Sequence, residues 1–420
     1  LWWARIVCLS AFGPYVTGSA RTEQIVVFAS LLWILVTGWP RMARARFGPA
    51  PFVLAWGGVC TVMLISTAFR PSDPAYLGSQ PPSHALSAMA LPIALMVITW
   101  YWTLSAEPVA LVRAVAPLIV TAMCADAVIE FWQLSAGKAA LGVLPRFWDA
   151  EPSGWSVAAN AGGNFRYTGI FDQPAEAGIA YGVALLCLIW LARQSLRPAL
   201  VTGAAVLLTA GGVLTLSKVF LLAALPVAVF TVLRGRARLR VAVTAGACGG
   251  LAWCAGAAGL LPAWHAGSAD LAALSSPQSL TVTYTAGRYG AGGTLGPVAA
   301  DVLHVAPWGG FGAGGVGVPY DSLWLQVLAV SGALGVALAV AVFGMLAWRL
   351  TALRAVLERA EWQLACGVAV LAAAASLGIP SLTANRAATM LWLVLGVLVT
   401  ARSRQGKMPM IASAGAPAVL

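Results

Sequence analysis

Charge is what this chain has least of. Only 9% of its 420 residues are Asp, Glu, Lys or Arg, and the acidic ones number 14. That is too little polar side chain to clothe a soluble domain of this size. Histidine is scarce at three, and the seven cysteines all fall inside apolar runs, where a free thiol behaves as a small hydrophobe. Neither a metal site nor a disulfide framework is implied. No fixed-period repeat is present. No cleavable signal peptide and no soluble domain are expected at either end.

What remains is apolar. The chain is 60% hydrophobic with a mean hydropathy of +0.84, which describes an all-α polytopic membrane protein. Twelve apolar runs are long enough to be spans, with cores near 2–17, 24–39, 51–69, 85–105, 108–135, 174–193, 198–213, 216–233, 240–261, 321–348, 361–379 and 386–402. Between the seventh and eighth, Thr209 to Gly212 is the only break in the pattern. Of 25 basic residues, 17 fall on the side of the amino terminus and 8 on the other. The positive-inside rule then puts both termini in the cytoplasm, and the expected location is a bacterial inner membrane. The net charge of +11 needs no nucleic-acid partner, since clusters such as RMARAR and RGRARLR are ordinary for loops facing anionic lipid.

The inner loops are short. Two outer segments, 136–173 and 262–320, are long, so chemistry is expected outside. The first ends in Arg166-Tyr-Thr-Gly-Ile-Phe-Asp-Gln-Pro174 as the chain re-enters the membrane. The second carries Arg288, an amphipathic stretch with Leu295, Val298, Ala299 and Val302 at helical spacing, and a glycine-rich run ending at Asp321-Ser322. Gly312, Gly314 and Gly317 formally spell the dinucleotide fingerprint, but no βαβ unit surrounds them. A hinge, or close backbone approach to a ligand, is the expected role.

Arg-x-x-Gly-x-Phe-x-x-Pro, then Ser217-Lys218 at a helix start, Gly287-Arg288 in a large outer loop, and Asp-Ser-Leu-Trp-Leu running to Gly332 and Gly335 follow one another over residues 160 to 340. In that order they resemble the O-antigen ligase and polysaccharide polymerase superfamily. The resemblance implies a polyprenyl-diphosphate-linked glycan donor, transferred at the outer membrane face to a glycan or lipid acceptor without nucleotide sugar, metal or other cofactor. Membrane lipids and other envelope-glycan assembly proteins are the expected surroundings. The chain departs from the pattern at Ala175, where Asn often follows the Pro, and at Lys218, where Arg is usual. Ligases tend to place His eleven residues before the Gly matching Gly332; here that position is Asp321, which favours polymerase over ligase.

Elementary chemistry picks the same residues. A diphosphate leaving group needs fixed positive charge, and the outer cations available are Arg166, Arg288, Lys218 and Arg386. Arg166 and Arg288 are expected to converge across one cavity. Attack by a sugar hydroxyl calls for a general base, for which Asp321 is the first choice, Glu176 the second and His304 the third. Asp321 is equally placed to be a helix N-cap. Asp126 and Glu130, four apart on one helix face, are expected to support the site by pairing with an outer Arg; a proton-relay role and a plain interfacial position are the alternatives. A lipid-linked oligosaccharide flippase or secondary transporter is the competing class, and a structural assembly partner the third.

Overall fold

The computed structural model describes residues 1–17, 20–45, 47–69, 82–136, 142–149, 157, 160–161, 166–194, 197–233, 293, 295–316 and 321–401. These are overwhelmingly helical. In chain order the elements are α1 (Trp2–Ser10), the two-stranded pair β1 (Tyr15–Thr17) and β2 (Ala20–Arg21), α2 (Thr22–Thr37), α3 (Trp39–Ala43), α4 (Ala50–Phe69), α5 (Pro82–Thr103), α6 (Pro108–Ala136), α7 (Pro145–Trp148), α8 (Pro174–Ala192), α9 (Pro198–Leu214), a π-helical turn (Phe220–Ala224) leading into α10 (Leu225–Leu233), α11 (Leu295–Val305), α12 (Leu323–Leu353), α13 (Arg359–Ala375) and α14 (Asn385–Val399). Among the described residues, five helices are long and apolar enough to cross a membrane: those within 50–69, 85–103, 108–136, 174–192 and 323–353. The expected span 240–261 lies outside the described residues.

Two departures from the sequence reading have plain causes. The first run stops at Ser10 rather than 17, because Gly13-Pro14 follows and proline cannot donate to a continuing helix. The freed chain makes the small antiparallel pair, so the fold is not purely helical. The break between the seventh and eighth runs is not at 209–212, which stays helical; it falls at Thr215–Ser217, where Leu216 adopts a positive φ of 48°. Gly211 and Gly212 do not loosen the helix. They make room for the Tyr181 and Phe220 rings.

α8 is the centre of the bundle, buried along nearly its whole length, with α6, α9, α13 and α14 around it. α4 lies along α12, and α5 against α14. Hydrogen bonds gather the described helix ends into two groups. At one end, Arg193 donates to the Thr231 carbonyl and to Gln363, Trp190 donates to Glu361 at 3.2 Å, and Arg349 donates to the Val399 and Ala401 carbonyls at 2.9 and 2.7 Å. At the other end sit Arg21, Arg166, Lys218 and Arg386, with the described parts of both long segments. Trp148 reaches the Phe12 carbonyl at 3.4 Å just past α1, and Ser66 and Thr67 at the end of α4 bond Gly309 and Ala313 at 2.6 Å.

The glycine-rich run therefore makes its close approaches to the protein's own helices. Gly310 (φ 67°) passes the Ala329 carbonyl and Gly312 (φ 76°) sits on Thr67. Gly332, inside α12, has φ 61° and ψ −162°, a conformation essentially closed to side chains, and bends the helix around the Trp308 backbone. We expect Gly332→Ala to lower the free energy of unfolding by about 2 kcal/mol or more. A thermal-unfolding midpoint unchanged from the parent protein in detergent would show that the kink is not needed.

Candidate functional site

Residues 166–173 form a turn that caps the bundle between α6, α9 and α14. The Arg166 N–H donates to the Asn160 carbonyl at 2.9 Å and the Tyr167 N–H to the Leu214 carbonyl at 3.1 Å, which ties the start of the turn to the end of α9. Thr168 closes the turn by donating to the Phe171 carbonyl at 2.6 Å. Gly169, with φ 60°, packs directly on the Asp126 carboxyl, and any side chain there would collide with it. Glycine is required twice over, by conformation and by space.

Beneath the turn lies a buried ion cluster. Arg21, 4% exposed, donates to Asp172 at 2.9 Å and lies 3.6 Å from Glu176 and 3.8 Å from Glu23. The Tyr15 hydroxyl donates to the same Asp172 oxygen at 2.9 Å, and both Arg21 and Arg386 lie over the Tyr15 ring, at 4.9 and 5.3 Å. Arg386 is fully buried and donates to the Ile170 and Gly13 carbonyls at 3.0 and 3.3 Å. Asn160 donates to the Asp172 carbonyl at 2.7 Å. Burial alone would push the Asp172 carboxyl up, but the Arg21 and Arg386 guanidiniums overcome it and hold the group below the usual carboxylate range.

Each residue singled out from the sequence can now be placed. Arg166 and Lys218 are both half-buried. Arg288 lies outside the described residues, so its convergence with Arg166 is not described. Arg386 is at the expected end, under the turn, with its guanidinium on backbone carbonyls and a ring. Glu176 is not interfacial; it is 2% exposed and accepts from the Ala387 N–H at 3.4 Å besides facing Arg21. His304 is exposed in the last turn of α11. Asp321 is half-buried one residue ahead of the helix cap. The cap of α12 is Ser322, whose hydroxyl accepts from the Trp324 N–H at 3.2 Å, so the capping role considered for Asp321 belongs to its neighbour.

Asp126 and Glu130 are buried, as expected of carboxylates in such a helix, but no Arg lies within ion-pair distance of either among the described residues. Asp126 instead accepts from the Ile170 N–H at 2.9 Å and from the Tyr181 hydroxyl at 3.2 Å. The expected pairing is corrected to one residue's remove: Ile170 gives its N–H to Asp126 and its carbonyl to Arg386. Sequence reasoning missed Tyr15, Glu23, Gln133 and Tyr181, and treated Arg21 as a loop charge only. Arg21-Thr-Glu-Gln at the head of an apolar run was the available signal, because ionisable groups entering a membrane helix need partners.

Comparison with family models, curated proteins and solved structures finds no match for the chain. Among the described residues no cluster of His, Cys, Asp and Glu is arranged to hold a metal ion.

Two outcomes follow for the cluster. Arg21→Met strands the Asp172 charge in a buried site and should destabilise the protein by about 3–5 kcal/mol, while adding Asp172→Leu should recover a good part of the loss. Equal unfolding midpoints for parent and single variant would refute the pairing. Because the folded Asp172 titrates below its unfolded value of about 3.9, its contribution is complete above that pH and disappears as pH falls through the lower folded value. The Asp172→Asn variant should lose this acid-side dependence, as read from unfolding midpoints below about pH 4.

Proposed function

We propose that this chain is a twelve-span glycosyltransferase of a bacterial inner membrane, with both termini cytoplasmic. It moves a glycan from a polyprenyl-diphosphate carrier to a sugar hydroxyl of a second lipid-linked glycan at the outer face. The observation that carries the reading is the Tyr167–Leu214 bond, which ties the backbone just after Arg166 to the end of α9, four residues before Lys218.

In this reading the acceptor oxygen bonds to the anomeric carbon as the carbon–oxygen bond to the diphosphate breaks. Asp321 takes the hydroxyl proton, and Arg166, Lys218 and Arg288 neutralise the departing diphosphate. Arg386 and Arg21 are too deeply enclosed to meet a carrier lipid and serve by holding the turn. Glu176 is committed to the Arg21 cluster, which leaves Asp321 as the preferred base, with His304 the nearest exposed substitute. Neither metal nor nucleotide is called for. Asp321 at the position where ligases tend to carry His supports polymerisation; single transfer to a lipid or protein acceptor is the second reading, and both leave the same residues in the same roles.

The test is assay of the purified protein with native lipid-linked repeat units. We expect a ladder of products, a loss of about two to four orders of magnitude in rate for Asp321→Asn, and impaired transfer for Arg166→Lys, which keeps the charge but loses the guanidinium fork. Since Ser322 caps the helix, the Asn variant removes basicity without touching the cap. Single products would mean ligase; no product from well-folded protein would sink the enzyme reading.

A further inference from the structure

The face of α6 under the turn carries three polar side chains at helical spacing, Asp126, Glu130 and Gln133. The outer two clamp the turn. Asp126 takes the Ile170 N–H, and Gln133 accepts from the Gly169 N–H at 3.0 Å while donating to its carbonyl at 3.1 Å. Glu130, between them, is 0% exposed, and neither of its carboxyl oxygens receives a well-formed hydrogen bond; its polar neighbour is the Tyr181 hydroxyl, whose proton goes to Asp126. It is aimed at Asp126 one turn away and at the Tyr181 hydroxyl of α8.

Among the described residues no countercharge stands beside it. Arg386 of α14 acts on Asp126 from beyond Ile170, by way of that residue's carbonyl. α9 has no titratable side chain along its length, α1 brings Cys8 to α6 only at Val115, and α5 carries Tyr101 toward the opposite end of the bundle. Glu176, farther along α8, faces Arg21. An ionised carboxylate in such a place, beside another carboxylate and without hydrogen bond or cation, is untenable; the group takes a proton or draws water in.

We propose that Glu130 is a proton-binding site that controls the seating of the 166–173 turn. With its carboxyl protonated the turn is docked. When the O–H bond breaks, the proton passes to water entering from that end of the bundle, and the same water competes for the Gly169 and Ile170 bonds that hold the turn. Gly169 has no slack against Asp126, so hydrating this face cannot leave the turn in place. The inference rests on the packing of α6 and stands whether or not the chain transfers glycans.

Hydrogen–deuterium exchange on the full chain in lipid nanodiscs, corrected for intrinsic base catalysis, tests it. Protection of the 166–173 amides should fall about tenfold or more as pH is raised in the wild type, and stay constant in Glu130→Gln, which mimics the protonated acid. Infrared spectra should show a protonated-carboxyl band at neutral pH that is lost in Glu130→Gln and displaced in Glu130→Asp, so the idea stays testable if one variant folds poorly. Protection that is independent of pH in the wild type, or profiles shared by wild type and the Gln variant, would overturn it. So would loss of the band on adding sodium at fixed pH, which would mark a metal-cation site instead.

Discussion

The Arg21 guanidinium is the point on which this end of the molecule depends. It comes from the short strand after α1, yet it binds Asp172 of the capping turn and faces Glu176 of the central helix and Glu23 of its own helix start. A buried cation among three carboxylates earns little net stability over an apolar packing of the same volume, because each group gave up hydration to enter. What it supplies is specificity. Only one docking of the amino-terminal segment lets the positive charge meet its partners, and a shifted register would leave bare carboxylates inside the bundle. Tyr15 and Arg386 reinforce the choice from the other side of the same ring.

That arrangement divides the basic residues at this end into two kinds. Arg21 and Arg386 are buried and spend their hydrogen bonds on carboxylates, a ring and backbone carbonyls. Arg166 and Lys218 stand half-buried over the same site. A group that must meet an incoming anion has to keep access to solvent, while a group that must hold a loop in one place works best when water is excluded. The enclosed pair thus fixes the turn that Arg166 opens.

Much of the helical fold was legible because a membrane-length apolar run announces itself. α4, α6, α8 and α12 fall where the hydropathy put them, and the amphipathic stretch at 295–305 is a helix that buries Leu295 and Val302. Local chemistry was harder to read. Pro14 ended α1 early, and Gly211 and Gly212 read as a break although two neighbouring rings fill the space that they leave. Whether a glycine loosens a helix or admits a partner depends on what stands opposite, which one chain's order does not say. The site was legible to a similar degree. Its turn could be found from the Arg-Gly-Phe-Pro spacing, and Arg21-Thr-Glu-Gln signals that Arg21 needs partners, but not which ones, because Asp172 and Glu176 lie about 150 residues away.

Scarcity of charge makes the remaining question sharper. In a chain with 14 acidic residues, Glu23, Asp126, Glu130, Asp172 and Glu176 all crowd into one buried end, against two enclosed guanidiniums. Five full negative charges cannot stand there together. Asp172 is held ionised by its two arginines, so the deficit must be met by protons on other members, and Glu130, the one farthest from any cation bond, is the natural first holder. The proton count of this end is then a structural quantity. It sets whether the turn rests on neutral acids or on mutually repelling carboxylates, and through the turn it reaches Arg166.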